Sequence, residues 1–159
     1  MKIMFVCHGN ICRSPMAEFI FKKMVCDKRL EGKIEIYSSA TSSEEIFCGV
    51  GNPIYPPAQR ELERRGIPYE RRRAVQLKLA DYGKYDMFVG MDSMNVRNMH
   101  RIFGSDKDNK IFKLMEFTAS GGDVADPWYS DRFDVAFDDI YRGCEALLSF
   151  IVNNKLIES

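Results

Sequence analysis

The chain has 159 residues, with 23 basic against 23 acidic side chains and 45% hydrophobic residues. These values fit one domain spanning residues 1–159, long enough to bury roughly 70% of the surface that its unfolded chain exposes. Zero formal net charge removes the global field of a non-specific nucleic-acid binder, and no apolar run approaches the ~20 residues of a membrane span. Met1–Val6 is too short and too soon interrupted for a signal peptide. A cytoplasmic protein with neither nucleic-acid nor membrane partners is expected.

In chain order the apolar spacing alternates between the two regular periods. Ile3 to Val6 is a continuous apolar run, as a strand buried on both faces requires. From Pro15 onward Met16, Phe19, Ile20 and Met24 recur at helical spacing, with Lys22 and Lys23 on the other face. Ile34 and Ile36 suggest a second strand, Pro57 to Arg65 a helix stopped by Gly66, and Tyr85 to Gly90 a third strand. Ser93 is the expected cap of a helix that runs to Phe103 and ends at Gly104. Lys110 to Leu114 makes a fourth strand, and Val135, Ile140, Cys144, Leu147, Leu148 and Ile151 mark a long final helix. Strand and helix alternate four times, which implies an α/β fold: a parallel sheet with right-handed crossovers and helices on both faces. Ligands of such sheets sit beyond the carboxyl ends of the strands.

The first of those ends is the segment Val6-Cys7-His8-Gly9-Asn10-Ile11-Cys12-Arg13-Ser14-Pro15. Pro15 suits a first helical turn and Ser14 suits the N-cap, so the helix start directs unpaired N–H groups into the loop and makes an anion site. Gly9 permits the backbone turn that points successive N–H groups inward, and Arg13 adds a planar fork of donors. Five cysteines, Cys7, Cys12, Cys26, Cys48 and Cys144, are an odd and irregular set that does not suit a secreted disulfide framework. Cys7 lies in the anion cradle, where helix ends and cations favour the thiolate. Its expected role is nucleophilic attack on a bound phosphoryl group, with the N–H ring and Arg13 stabilising the equatorial oxygens. The two histidines, His8 and His100, do not pair with Cys7 as a protease-type base would. Asp126, just before Pro127-Trp128-Tyr129 in a glycine-initiated late loop, is the candidate general acid.

Cys-x5-Arg-Ser-Pro at a helix start, with Asp126-Pro127 in a late loop, resembles the low-molecular-weight protein tyrosine phosphatase family. The likeness covers essentially the whole chain, including Gly51-Asn52-Pro53, Pro57-Ala58 and Met91-Asp92. It implies a three-layer α/β domain with a central four-stranded parallel sheet and helices on both faces. It also implies a monomer that hydrolyses protein phosphotyrosine through a phosphocysteine intermediate, releases inorganic phosphate and needs no metal or organic cofactor. In this resemblance Cys7 is the nucleophile, Arg13 the phosphate clamp and Asp126 the general acid. His8, Gly9, Asn10, Ile11, Cys12 and Ser14 form the phosphate-binding loop, whose shape Asn10 holds with Ser39 in support, and Ser14 hydrogen-bonds the thiolate. Ile11, Phe47 or Ile46, Trp128 and Tyr129 are the expected substrate walls. Cys12 is expected to form a reversible disulfide with an oxidised Cys7.

Two departures stand out. The family's His-x-Ala-Arg pattern falls here on Arg72, Arg73, Ala74 and Val75, so Arg72 replaces a histidine that supports the phosphate loop in relatives. His8 takes a loop position that is usually apolar. Ile11 stands where relatives resembling phosphoarginine phosphatases carry threonine, which favours phosphotyrosine. Three rival readings remain: a phosphoarginine phosphatase, an arsenate reductase on the same fold, and a phosphotyrosine-binding module without catalysis. The reductase needs further cysteines after the third strand, and Gly90 to Phe103 contains none. A pure binder needs neither Cys7 nor Asp126.

Overall fold

The structure is a computed structural model that describes residues 1–158. Its centre is a sheet of four parallel strands: β1 (Lys2–Cys7), β2 (Glu35–Ala40), β5 (Met87–Gly90) and β6 (Ile111–Lys113), in the order β2-β1-β5-β6. Between β2 and β5 lie a two-residue hairpin, β3 (Ile46–Phe47) with β4 (Val50–Gly51), and helix α2 (Pro56–Arg64). Helices α1 (Arg13–Asp27), α3 (Ser93–Phe103), α4 (Pro127–Ser130) and α5 (Phe133–Asn153) complete the chain. Single 3₁₀ turns occur at Leu79–Asp81 and Leu114–Phe117. The three-layer α/β arrangement agrees with the sequence expectation. The hairpin, the 3₁₀ turns and α4 were not foreseen, because segments of two to four residues carry no periodicity.

The period-two geometry of β1 divides the core into two layers. Ile3, Phe5 and Cys7 face α1, α2 and α5, where they join Met16, Ile20, Leu62, Ile140 and Leu147. Met4 and Val6 face the opposite layer, with Leu77, Phe88, Met99 and Phe103. Phe5 and Phe21 pack edge to face at 5.5 Å. Cys7 is therefore the last side chain of the face that α1 covers, and it stands where the chain leaves β1 for that helix. The chain crosses from β1 to β2 on one side and later reaches β5 on the other, so the end of β1 is also where the strand order reverses.

Two capping expectations are corrected. The N-cap of α1 is Cys12, without a side-chain bond, and Ser14 lies inside the first turn. The Ser14 hydroxyl is engaged by Asn10 and Cys7 instead of the helix backbone. In α3 the cap is Asp92, which accepts from the Asn95 N–H at 2.8 Å, while the Ser93 hydroxyl bonds Asp123.

Helix α5 packs closely on the turn after β6. A Cβ added at Gly143 would lie 2.5 Å from Leu114 Cγ and 2.9 Å from its Cδ2, and Leu114 is fully buried. Gly143→Ala is expected to destabilise the protein by about 1–3 kcal/mol through overpacking, read as a lower denaturant midpoint. An unchanged midpoint would mean that α5 can lift away from Leu114 at no cost. Gly51 is tighter still, because its Cβ would meet the Ala74 backbone oxygen at 2.0 Å. The hairpin is thus docked on the Arg72–Val75 segment, and the Asn52 carbonyl accepts from Ala74 N–H at 2.8 Å.

Candidate active site

The β1–α1 loop is closed by hydrogen bonds that converge on Cys7. The sulfur, in a residue only 3% exposed, lies 3.0 Å from Ser14 Oγ and receives the Asn10 backbone N–H at 3.3 Å. Asn10 has φ +57°, in the left-handed region, which turns its N–H toward the sulfur. Its side chain holds that turn: Nδ2 donates to Ser14 Oγ at 2.8 Å and Ser38 Oγ at 3.0 Å, while Oδ1 accepts from Val75 N–H at 3.0 Å and from Arg72.

Ser38, and not the predicted Ser39, supports Asn10. The reason is strand parity: Ile34, Ile36 and Ser38 lie on the face of β2 that α1 covers, and Ser39 points into the other layer. Ser39 Oγ is buried without a hydrogen-bond partner among the described residues. That parity was present in the sequence and would have selected Ser38.

Arg13 is 3% exposed and anchored. Its Nη1 donates to Asp92 Oδ2 at 2.7 Å and to the Val124 carbonyl at 2.8 Å, and its Nη2 lies 3.6 Å from Asp126 Oδ2. Burial disfavours the guanidinium charge, but Cys7, Asp92 and Asp126 together hold its pKa above the ordinary arginine value. Asp92 was noted in the sequence only as the residue after the third strand. Its clamp on Arg13 needed the tertiary structure to appear.

Asp126 caps α4, with Oδ1 accepting the Trp128 N–H at 3.0 Å, and its other oxygen is the one near Arg13. The late loop reaches the site because Val124 N–H bonds the Met91 carbonyl at 2.9 Å. Trp128 is half exposed and rests on Tyr55 at a ring distance of 4.9 Å, and Tyr55 in turn packs on Phe133 at 6.0 Å. Tyr55 also donates its backbone N–H to the Ile11 carbonyl at 2.8 Å. This tyrosine, overlooked in the sequence, links the phosphate loop to the Trp128 wall. Ile11 itself is buried, whereas Phe47 on the hairpin and Tyr129 on α4 are 65% and 87% exposed, as projecting rim residues would be. Ile46 is only partly exposed.

The loop that carries the hairpin is tied to the site by Thr41 N–H to the Cys7 carbonyl and Ser42 N–H to the His8 carbonyl, both 3.0 Å. His8 Nε2 lies 2.9 Å from Glu44 Oε2, so the polar loop residue faces outward to this loop. Gly9 sits against Glu45, whose Cγ lies 3.2 Å from the position of a Gly9 Cβ. Cys12 is buried. Burial, then the negative charges of Cys7 and Asp126, push its thiol well up, against a smaller effect of Arg13. Among the described residues no group of three or more His, Cys, Asp or Glu side chains is arranged to hold a metal ion. Among the same residues no helix is long and apolar enough to cross a membrane.

A buried sulfur at a strand end lies beside one N–H, one hydroxyl, an anchored arginine and a carboxylate, an arrangement able to receive an anion and offer it a nucleophile. The family model described as "Low molecular weight phosphotyrosine protein phosphatase" matches residues 2–157, and the chain belongs to that family. It is 35% identical to the low molecular weight protein-tyrosine-phosphatase YfkJ of Bacillus subtilis, over 98% of each chain. The crystal structure of YfkJ superimposes with a TM-score of 0.91, covering 98% of this chain and 96% of that one. The phosphatase PtpA of Staphylococcus haemolyticus is 34% identical over 96% of this chain and 94% of its own length. The arginine phosphatase YwlE, with a phosphorylated serine in the active site of its variant, matches at 26% identity and a TM-score of 0.81, covering 99% of this chain and 100% of that one.

Proposed function

We propose that the protein hydrolyses phosphotyrosine in proteins through a phosphocysteine intermediate. The observation that carries this reading is the sulfur of Cys7, held between the Ser14 hydroxyl and the Asn10 N–H beside the buried Arg13 guanidinium. A phosphate ester enters the loop, and its oxygens take the backbone N–H groups and Arg13 as partners. The Cys7 thiolate attacks phosphorus in line with the ester oxygen. As the P–O bond breaks, Asp126 gives a proton to the departing phenol, and a P–S bond remains. Asp126, now a carboxylate, takes a proton from water as that water attacks the phosphocysteine. Inorganic phosphate leaves and Cys7 is restored. Asp92 fixes the angle of Arg13 throughout, because a bidentate clamp is effective only when its plane is set in advance.

Tyrosine is favoured over arginine as the carrier of phosphate by the apolar Ile11 and by the Trp128–Tyr55 pair, which offers an aromatic wall to a phenyl ring. Ile46, Phe47 and Tyr129 serve the rim of that slot, and His8, Gly9, Cys12 and Ser14 complete the loop. Phosphotyrosine proteins are the substrates, and the enzyme acts as a cytoplasmic monomer. A panel of phosphotyrosine and phosphoarginine peptides, run on the pure protein, tests the choice. The expected result is a higher kcat/KM on phosphotyrosine, and a reversed preference would assign the chain to the arginine-directed branch.

Cys12 supplies a guard against oxidation. Peroxide converts Cys7 to a sulfenic acid, and attack by Cys12 expels water and forms a disulfide. After peroxide, dithiothreitol is expected to restore activity to the native enzyme and not to a Cys12→Ser variant. Irreversible loss in the native enzyme would contradict the pairing.

A further inference from the structure

The hydrogen-bond network behind Cys7 ends on one side chain that can only donate. Arg72 Nη1 reaches Glu18 Oε1 at 2.9 Å and also Ser38 Oγ. Its Nη2 reaches Asn10 Oδ1 and, at 2.9 Å, its neighbour's carbonyl at Arg73. The pair is largely enclosed, with side-chain exposures of 15% for Arg72 and 9% for Glu18.

A guanidinium has donors and no acceptor, and a carboxylate has acceptors and no donor. Together with the Val75 N–H, these two ends determine the hydrogens between them. Ser38 lies 2.6 Å from Glu18 Oε1, so its single hydrogen goes to Glu18 while its oxygen accepts from Arg72 and Asn10. Asn10 Oδ1 accepts from Arg72 and Val75 N–H, which fixes the amide orientation. Both Nδ2 hydrogens are then spent, on Ser38 and Ser14. Ser14 Oγ already receives one of them, so its own hydrogen is directed at Cys7 Sγ, 3.0 Å away.

We propose that Arg72 is a positioning residue: a non-titrating cation that locks the Ser38–Asn10–Ser14 relay in one direction, so that Ser14 always donates to the Cys7 sulfur. This rests on the reading of Cys7 as the nucleophile. An imidazole at the same place would both donate and accept, and it would change charge near neutral pH. Arginine does neither. The charged groups facing the relay are Glu18 from α1, with Lys22 on its other oxygen at 2.7 Å, and Cys7 from β1. Arg73, the next residue, is turned away onto the Gly51 carbonyl at 3.0 Å.

The test measures Cys7 alkylation by iodoacetamide against pH, together with kcat and KM for p-nitrophenyl phosphate, in native enzyme, Arg72→Lys, Arg72→Gln and Arg72→His. Native enzyme is expected to give a single-step alkylation profile. Lysine, also a donor-only cation, should keep that profile and most of kcat. Glutamine, which can turn its carbonyl toward Asn10, should lower kcat by roughly tenfold or more with a smaller change in KM. Histidine should add a second step near pH ~6.5. Native-like profiles and kcat in both glutamine and histidine variants would overturn the proposal. So would an equal loss in lysine and glutamine that tracks a fall in melting temperature, since Arg72 would then only hold the fold. Native enzyme that neither hydrolyses the ester nor alkylates at Cys7 would instead remove the phosphatase reading on which the relay rests.

Discussion

Replacing Cys7 by serine is expected to lower kcat for p-nitrophenyl phosphate by roughly 10⁴-fold or more, with the melting temperature close to that of the native enzyme. The fold should survive because serine keeps the shape of the side chain and can accept the same Ser14 and Asn10 donors. The chemistry should not, because a hydroxyl gives up its proton far less readily than a thiol and is the weaker nucleophile. His8, the nearest imidazole in sequence, is engaged with Glu44 on the outer side. Full activity in this variant would mean that the phosphoryl group is transferred to water without a protein nucleophile.

The second large effect belongs to Asp126. General acid catalysis contributes typically ~10²–10⁴ in rate, and it matters most when the leaving oxygen is a poor one. Asp126→Ala should therefore slow hydrolysis of phenyl phosphate by about that factor and of p-nitrophenyl phosphate far less. Because Asp126 also caps α4 through Trp128 N–H, alanine removes a structural bond as well as a proton. Asp126→Asn keeps the capping oxygen and separates the two: if the acid role holds, asparagine and alanine should show the same leaving-group dependence. An equal loss across the leaving-group series would leave Asp126 as a cap alone.

Much of the site was legible because it is local. Cys7, Arg13 and the glycine between them lie within one strand-to-helix connection, and the physics of a helix start and a thiolate operates over a few residues. The four parallel strands were legible for the same reason, since the apolar residues that mark each one lie within a few positions of one another. What escaped notice depends on long-range pairing. Asp92 meets Arg13 across 79 positions, and Tyr55 supports Trp128 from before a different helix. Neither spacing nor composition announces such partners. The exchange of Ser38 for Ser39 is different in kind: the two-residue period of β2 puts Ser38, and not Ser39, on the face that α1 covers. The hairpin at Ile46–Gly51 escaped because its two-residue strands are held by docking on Ala74 more than by their own pattern.

The central claim is that the phosphoryl group passes through Cys7. Asp126→Ala should form the phosphocysteine quickly from p-nitrophenyl phosphate, whose leaving group needs little help, and hydrolyse it slowly for want of a base. Rapid quenching of that variant during turnover, followed by peptide mass mapping, measures the intermediate directly. One phosphoryl group on the peptide that contains Cys7, absent when Cys7 is also replaced by serine, is the expected result. Continued turnover with no covalent phosphoenzyme, or with the phosphoryl group on any other residue, would contradict it.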